Sequence, residues 1–241
     1  TSGTTGIPKG VVRDTGGYLV ALAWTMKSLY GIAPGEVFWT ASDVGWVVGH
    51  SYNVYGPLLI GATTICYEGK PVGTPDAGAF WRVCADWNAV ALFTAPTAIR
   101  AIKKEDPQGE GFKRHDLSKM RALFLAGERV DAATVDWAQA QLGLPVIDHW
   151  WQTETGWCIA GYPFGLGLRP GKPGSACVPM PGYAIEIVDE GGKPVAPGTM
   201  GSVTIKLPLP PGCLPTRWQN DVRMRESYLG TYPGAYETSD A

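Results

Sequence analysis

The sequence lacks the marks of a membrane protein and of a nucleic-acid-binding protein. No apolar run approaches the roughly 18–20 residues that a membrane helix needs, and we recognise no secretory signal peptide. Basic residues never form more than a short run, and the net charge is -2. We therefore expect no membrane and no nucleic acid among the partners, although a small anionic ligand is compatible with this charge.

Cysteine and histidine are few and scattered. The five cysteines form no C-x-x-C pair, which argues against a zinc site or a disulfide framework and favours a reducing cytoplasm. We interpret each cysteine as a small buried hydrophobe, with a reactive thiol as the alternative. The three histidines show no metal-ligand spacing. Ser51 follows His50, but the second glycine of a G-x-S-x-G elbow is absent, so a serine hydrolase is excluded.

What is present is enough apolar material for a large core. Hydrophobic residues make up 45% of the 241 residues, which argues against global disorder. Up to about residue 165, helical and strand-like patterns alternate, as in a mostly parallel sheet covered by helices. Beyond it, short alternating runs with frequent glycine and proline predict antiparallel β-structure, a small barrel or a curved sheet. We therefore predict an α/β core at 1–165 and a β-rich subdomain at 166–241.

Turn and capping residues predict individual boundaries. A first helix ends before Gly31, a second begins with Thr74 as N-cap and Pro75 in its first turn, and a third runs from Asp131 as N-cap to Gly143. Strands are predicted, in chain order, in EVFWTAS, LLIGATTICY, AVALFTAP, RALFLAGE, PVIDHWW, YAIEIVD and GSVTIKL.

Four segments are candidates for a ligand site. TSGTTGIPKG, at 1–10, is typical of a phosphate-binding loop without the Walker A spacing, or else of a flexible linker. Ligands of open α/β sheets bind beyond the carboxyl ends of strands. That rule selects AGER at 126–129, DHWWQTETG at 148–156 and YETSDA at 236–241.

Glu154 is the carboxylate of most interest in these segments. It stands between two threonines, and Mg²⁺ commonly binds one or two carboxylates together with substrate phosphates. The alternative is that Thr153 caps a helix whose first turn contains Glu154. The residues alone leave both interpretations open.

In order and in separation, these motifs resemble those of the adenylate-forming acyl-CoA synthetases. They are TSGTTGIPKG, ASDVGWVVGHSYNVYGPL, LAGE, WWQTETGW and YETSDA. RDTGGYLVAL and LPLPPGC are similar to the branch of propionyl-CoA and acetyl-CoA synthetases. The resemblance implies an acyl-CoA synthetase large-domain core, with ATP, CoA and a short-chain carboxylate as substrates and Mg²⁺ as cofactor. It implies that the carboxylate attacks the α-phosphate of ATP and that the CoA thiol then displaces AMP.

The resemblance also implies roles for single residues. Thr153 at the α-phosphate and Glu154 as Mg²⁺ ligand would be the catalytic residues, and Asp240 would accept the ribose hydroxyls. The remaining ATP- and AMP-binding residues would be Thr1, Ser2, Gly3, Thr4, Thr5, Gly6, Lys9, Gly127, Glu128, Arg129, Asp148, His149, Trp150, Trp151 and Gln152.

Four residues would line the acyl pocket: Val47, Val48, Ala126 and Trp151. Trp151 would close its far end and restrict the acid to a short chain. Acetate-specific members usually have valine in place of Ala126 and threonine in place of Val48, so we expect propionate to be preferred over acetate by about 1–3 kcal/mol. Ordinary core packing is the alternative explanation for all four.

Two departures from the family pattern limit the comparison. Arg129 stands where the family has proline, and Cys158 stands where relatives often have proline. A full member would extend beyond both ends of this chain, so we expect a core fragment that is inactive alone. Acetate, 3-hydroxypropionate or butyrate as the acid, or a non-catalytic nucleotide-binding module, are the competing hypotheses. The expected location is the cytoplasm, or the mitochondrial matrix in a eukaryote.

Overall fold

A five-stranded parallel sheet forms the centre of the molecule. The computed structural model describes residues 8–167, 171–176 and 178–241. The sheet strands are β1 (Val37–Thr40), β2 (Thr63–Thr64), β3 (Ala91–Thr94), β4 (Ala122–Leu125) and β5 (Val146–Asp148). They pair in the order β2-β1-β3-β4-β5, and every pair is parallel. The predicted α/β fold is therefore confirmed.

Helices connect the strands and cover the sheet. They are α1 (Thr15–Ser28), α2 (Val47–Gly49), a π-helix (His50–Tyr55), α3 (Gly56–Leu59), α4 (Ala79–Asp86), α5 (Pro96–Glu105), α6 (Glu110–Lys113), α7 (Ala132–Leu142), a 3-10 turn (Phe164–Leu166) and α8 (Asp221–Tyr228). None of the described helices is both long and apolar enough to cross a membrane.

The two faces of the sheet belong to two apolar clusters. Successive strand residues point to opposite faces. Trp39, Leu92 and Leu123 accordingly pack in a cluster with side chains of α4, α5 and α7. Phe93 and Phe124 pack in the other cluster, with side chains of α1. Burial on both faces explains the continuous apolar runs of β3 and β4.

The C-terminal part forms small antiparallel sheets, as predicted. Its strands are β6 (Ala160–Gly161), β7 (Val178–Pro179), β8 (Ile185–Val188), β9 (Ser202–Lys206) and β10 (Ala235–Glu237). β6 pairs with β7, and the other three pair in the order β10-β9-β8. In the described residues this second sheet is open rather than closed into a barrel. Ile205 and Tyr236 share an apolar cluster with α1, and the boundary at residue 165 stays a prediction.

Most capping predictions are confirmed. Asp131 accepts a hydrogen bond from the Thr134 amide at 2.8 Å at the start of α7. Gly143 ends that helix in the left-handed conformation with φ +64. Gly31, with φ +67, follows α1 as predicted.

Two boundary predictions are wrong. α4 begins at Ala79 after Gly78, because the Thr74 hydroxyl bonds both the amide and the carbonyl of Lys70 and caps no helix. The predicted strand LLIGATTICY is a strand only at β2, and its first two residues, Leu58 and Leu59, belong to α3. Periodicity does not separate a short apolar strand from a helix end.

The cysteines of the described part of the chain differ in burial. Cys84, Cys158 and Cys213 are buried, as predicted, whereas Cys66 is exposed. The interpretation of Cys66 as a buried hydrophobe is therefore wrong. Cys177 lies outside the described residues.

Candidate active site

The carboxyl ends of β3, β4 and β5 lie side by side. The strand register pairs Thr94 with Leu125 and Leu125 with Asp148. The residues that follow, Ala95, Ala126 and His149, therefore leave the sheet at one edge. Two cavities open there and hold most of the predicted site residues.

The first cavity, called here the polar cavity, has a volume of about 510 Å³. It contains nine of the predicted nucleotide-binding residues: Gly127, Glu128, Arg129, Asp148, His149, Trp150, Trp151, Gln152 and Asp240. Gly174, Ala176, Val203 and Ala241 complete its lining. YETSDA, which is far from AGER in sequence, thus joins it at one cavity.

The second cavity, called here the apolar cavity, has a volume of about 500 Å³. All four predicted acyl-pocket residues, Val47, Val48, Ala126 and Trp151, line it. The two cavities adjoin, because Gly127, Glu128, Trp151 and Gln152 line both. The Trp151 ring packs edge-on against Tyr52, with the ring centroids 5.5 Å apart, and Tyr52 is fully buried. The tryptophan wall is therefore firmly supported.

Thr153 lies at a border between cavities. It lines the apolar cavity and also a third cavity of about 730 Å³, which Arg13 and His50 line as well. The segment around it forms a turn, not a helix. The Thr155 hydroxyl donates to the Gln152 carbonyl at 3.0 Å and accepts from the Gln152 amide at 3.1 Å. The helix-start interpretation of Thr153 is therefore wrong.

The Glu154 carboxylate is held by a tyrosine. The Tyr228 hydroxyl donates to Glu154 Oε1 at 2.7 Å, and the Lys9 ammonium lies 5.8 Å from the centroid of the Tyr228 ring. The structure therefore brings Lys9, the last predicted residue of the phosphate-binding loop, next to the residue that holds Glu154. The other predicted loop residues, Thr1, Ser2, Gly3, Thr4, Thr5 and Gly6, lie outside the described residues.

Gln152 fixes Asp240 from across the polar cavity. Its amide nitrogen donates to Asp240 Oδ2 at 2.8 Å and to the Thr238 carbonyl at 2.7 Å. Its amide oxygen accepts from the Tyr236 hydroxyl at 3.1 Å. One Asp240 oxygen is thus already bonded, and its carboxylate is exposed at the cavity.

Asp148 and His149 are adjacent but differ in environment. Partial burial raises the pKa of Asp148 to about 6, and Asp148 lines the polar cavity. The His149 ring is buried and bonds the Tyr30 hydroxyl at 3.0 Å. Burial lowers the pKa of His149 to about 3, so the ring is neutral. Its ring packs with Phe93 and Phe124, so we assign only its backbone to the cavity lining.

Glu128 directs its carboxylate toward α5. Glu128 Oε1 accepts from the Thr97 amide at 2.8 Å and from Arg100 at 2.7 Å. It thereby caps the first turn of α5, where the N-cap residue Ala95 offers no side-chain bond. Arg129 is exposed at the rim of the polar cavity.

Sequence reasoning missed part of the lining. Ala41 and Ser42 follow β1, Thr94 ends β3 and Ala95 follows it, and all four line the apolar cavity. The rule of strand carboxyl ends selects these positions too, and Ala41 and Ser42 also begin the motif ASDVGWVVGHSYNVYGPL, but none of the four was given a site role. No sequence signal was recognised for Tyr228, and Tyr236 lies in the selected segment YETSDA but was given no role. They contact Glu154 and Gln152 through the fold.

Comparison with known proteins agrees with the motifs. Residues 1–209 match the family model described as AMP-binding enzyme. The chain aligns over its whole length with the acyl-CoA synthetase short-chain family member 3, mitochondrial, of Mus musculus at 53% identity, and the alignment covers 36% of that protein. It also aligns with the propionate–CoA ligase of Salmonella typhimurium at 49% identity. That alignment covers 96% of this chain and 37% of the ligase. The chain thus spans little more than a third of these relatives. The resemblance predicted from the motifs is confirmed, and the chain belongs to the AMP-binding enzyme family.

Proposed function

We propose that this chain is the acid- and nucleotide-binding core of an AMP-forming short-chain acyl-CoA synthetase with propionate as preferred acid. The observation that carries the proposal is the pair of adjoining cavities. One has the predicted nucleotide residues, the other has the predicted acyl residues, and Trp151 and Gln152 stand where they meet. A carboxylate in the apolar cavity would thereby lie beside a nucleotide phosphate.

The polar cavity suits an adenosine monophosphate. Asp240 offers carboxylate oxygens to the two ribose hydroxyls, which are hydrogen-bond donors. Asp148 offers a further acceptor to the exocyclic amine of adenine. The peptide groups at Gly127 and Trp150 complete the walls. An enzyme that binds the adenylate in this way joins acid and nucleotide before CoA enters.

The first step needs charge neutralisation more than a base, because the nucleophile is already an anion. Thr153, at the border of the apolar cavity, would donate its hydroxyl to the α-phosphate. Val48 and Ala126 would keep water away from the alkyl end of the acid. The CoA thiol would then attack the acyl carbonyl, and AMP would leave with the bonding electron pair.

Glu154 fits the cofactor that the family implies. In the described part of the chain, no hydrogen bond reaches its second carboxylate oxygen, and no group of three or more histidine, cysteine and acidic residues forms a dedicated metal site. One carboxylate together with phosphate oxygens is a donor set that Mg²⁺ accepts. When bound, Mg²⁺ would neutralise phosphate charge. The five scattered cysteines, which form no C-x-x-C pair, favour a reducing compartment, which we propose to be the cytoplasm or the mitochondrial matrix.

Carboxylate-dependent exchange of pyrophosphate into ATP tests the proposal in the full-length protein that contains this chain. We expect propionate to exceed acetate in kcat/KM by roughly tenfold, and Asp240→Ala to weaken AMP binding. Asp86→Ala, at an exposed position at the end of α4, is the matched control and should match the unmodified protein. Nucleotide binding without exchange for any short acid would favour the non-catalytic module.

A further inference from the structure

Two tyrosines form a stacked pair beside the candidate site. Tyr228 ends α8 and Tyr236 lies in β10. Their ring centroids are 5.2 Å apart and their planes differ by 15°. Neither hydroxyl points to bulk water, because each donates a hydrogen bond to a different side chain of the WWQTETG segment.

Tyr228 completes the fixation of Glu154. The Glu154 carbonyl accepts from Arg13 Nη1 at 2.7 Å and from the Leu214 amide at 2.9 Å, which fixes the backbone. The Tyr228 hydroxyl holds the carboxylate itself at Oε1.

Tyr236 fixes the direction of the Gln152 amide. Its hydroxyl donates to the amide oxygen, and this leaves the amide nitrogen to donate to Asp240. A reversed amide would present its oxygen to the Asp240 carboxylate, and two acceptors repel each other. Burial also raises the pKa of Tyr236, so the direction of this donor is constant with pH.

We infer that Tyr228 and Tyr236 are positioning residues, each for one nucleotide-binding carboxylate. Tyr228 positions Glu154 for the metal and phosphates, and Tyr236 positions Asp240 for the ribose through Gln152. The inference rests on the proposed function, because that proposal supplies the metal, the phosphates and the ribose that the two carboxylates would bind. The stacked rings join the two supports, because each ring is packed against the other.

Tyr228→Phe keeps the ring and removes the hydroxyl. In the full-length protein that contains this chain, we expect the Mg²⁺ concentration for half-maximal ATP binding to rise by roughly tenfold or more, as for other groups that orient metal ligands. The ratio of the dissociation constants for 2′-deoxy-AMP and AMP should stay unchanged. Both quantities are measured by titration calorimetry.

Tyr236→Phe should have the opposite pattern. Asp240 loses the support of a fixed Gln152 amide, so the preference for AMP over 2′-deoxy-AMP should fall by roughly five- to tenfold, the size expected for the loss of one ordinary hydrogen bond. The Mg²⁺ dependence of ATP binding should stay unchanged. A merely structural role would not separate these two readouts.

Tyr232→Phe is the matched control. Tyr232 lies between the two tyrosines in sequence, is buried as they are, and donates to the Ser202 hydroxyl at 3.0 Å. Its loss should move neither readout. If Tyr228→Phe and Tyr236→Phe equal this control, or if both change both readouts alike, the inference is overturned.

The two proposals fail separately. Nucleotide binding with the predicted pattern, but without acid-dependent pyrophosphate exchange, would overturn the proposed enzyme and leave the positioning roles in place. Acid-dependent pyrophosphate exchange, together with an unchanged Mg²⁺ dependence and an unchanged preference for AMP over 2′-deoxy-AMP in both variants, would overturn the positioning roles and leave the proposed enzyme in place. A folded protein that binds neither ATP nor AMP would overturn both.

Discussion

Ala126 is the residue whose side-chain size should decide which acid is used. It is 5% exposed and lines the apolar cavity where β4 ends. Ala126→Val would add two methyl groups to this wall. We expect kcat/KM for propionate to fall by about tenfold and that for acetate to change by less than about threefold, the range of a pocket that discriminates one methylene. Steady-state kinetics with both acids measures the ratio, and an unchanged ratio would remove Ala126 from the acyl pocket.

Asp148 and His149 should give opposite pH dependences of stability. His149, with a pKa lowered from 6.5 to about 3, takes up a proton on unfolding, so the free energy of unfolding decreases as the pH falls below 6.5. Asp148, with a pKa raised from 3.8 to about 6, binds its proton more tightly when folded, so the free energy of unfolding increases as the pH falls from about 6 to 3.8. In this window the two effects oppose each other.

Removal of either group should therefore expose the effect of the other. On acidification from about pH 6 to 3.8, we expect Asp148→Asn to lose stability relative to the unmodified chain's own slope, by less than about 1.4 kcal/mol per pH unit because Asp148 is partly solvated. His149→Gln should shift the slope in the opposite direction by up to about 1.4 kcal/mol per pH unit, because the His149 ring is buried. Urea unfolding at several pH values gives both slopes, and equal slopes in the two variants would contradict this assignment.

At the residue scale, the motifs indicate candidate site residues, but they do not predict the hydrogen bonds between them. Asp240 and Gln152 were both assigned to the nucleotide from their motifs, but their hydrogen bond joins positions 88 residues apart. The hydrogen bond between Tyr228 and Glu154 likewise joins distant positions, 74 residues apart. A motif gives the chemistry of a side chain, whereas its support depends on how the antiparallel sheet packs against the parallel one.

At the element scale, Glu128 connects the site to helix α5. Its carboxylate caps Thr97 and pairs with Arg100. We expect Glu128→Ala to lower the free energy of unfolding by about 1 kcal/mol, chiefly through the lost cap, since a half-exposed ion pair adds little. Glu128→Gln retains an acceptor and should lose less.

Chemical denaturation of the two Glu128 variants measures this loss, and AMP titration gives its functional counterpart. Because the carboxylate is directed at α5, AMP affinity should change by less than about threefold. A large loss of AMP affinity with unchanged stability would assign the Glu128 carboxylate to the nucleotide instead.

The ends of helices were predictable where a residue has one structural role within its own turn. Asp131 and Gly143 bracket α7 as predicted, because a capping carboxylate and a left-handed glycine act within their own turn. Thr74 failed as an N-cap because its hydroxyl has two partners at Lys70. Leu58 and Leu59 were assigned to a strand because an apolar pair fits both periodicities, although Pro57 in the first turn of α3 was a helix signal.

At the scale of the whole molecule, an apolar strip runs along the π-helix and α3. Val54, Tyr55, Leu58 and Leu59 are all exposed there, Leu58 by 59% and Leu59 by 43%. A strip of this kind promotes association in water. We expect Leu58→Lys with Leu59→Lys to reduce self-association of the 241-residue chain in sedimentation velocity.

The stability of this double variant should change by less than about 1 kcal/mol, because neither side chain is in the core. Met200→Lys, at a residue that is 85% exposed, adds a charge elsewhere and should leave self-association unchanged. Equal improvement by Met200→Lys would attribute the effect to net charge rather than to the strip.

The two adjoining cavities contain different candidate residues for the acid and for the nucleotide. Val48 and Ala126 line the apolar cavity, whereas Asp148 and Asp240 line the polar one. Under the proposed function, point substitutions at the first pair would therefore change the acid without disturbing the nucleotide. This separation would then make the scaffold evolvable, because a lineage or a laboratory selection could explore new acids at two codons while ATP use is inherited intact.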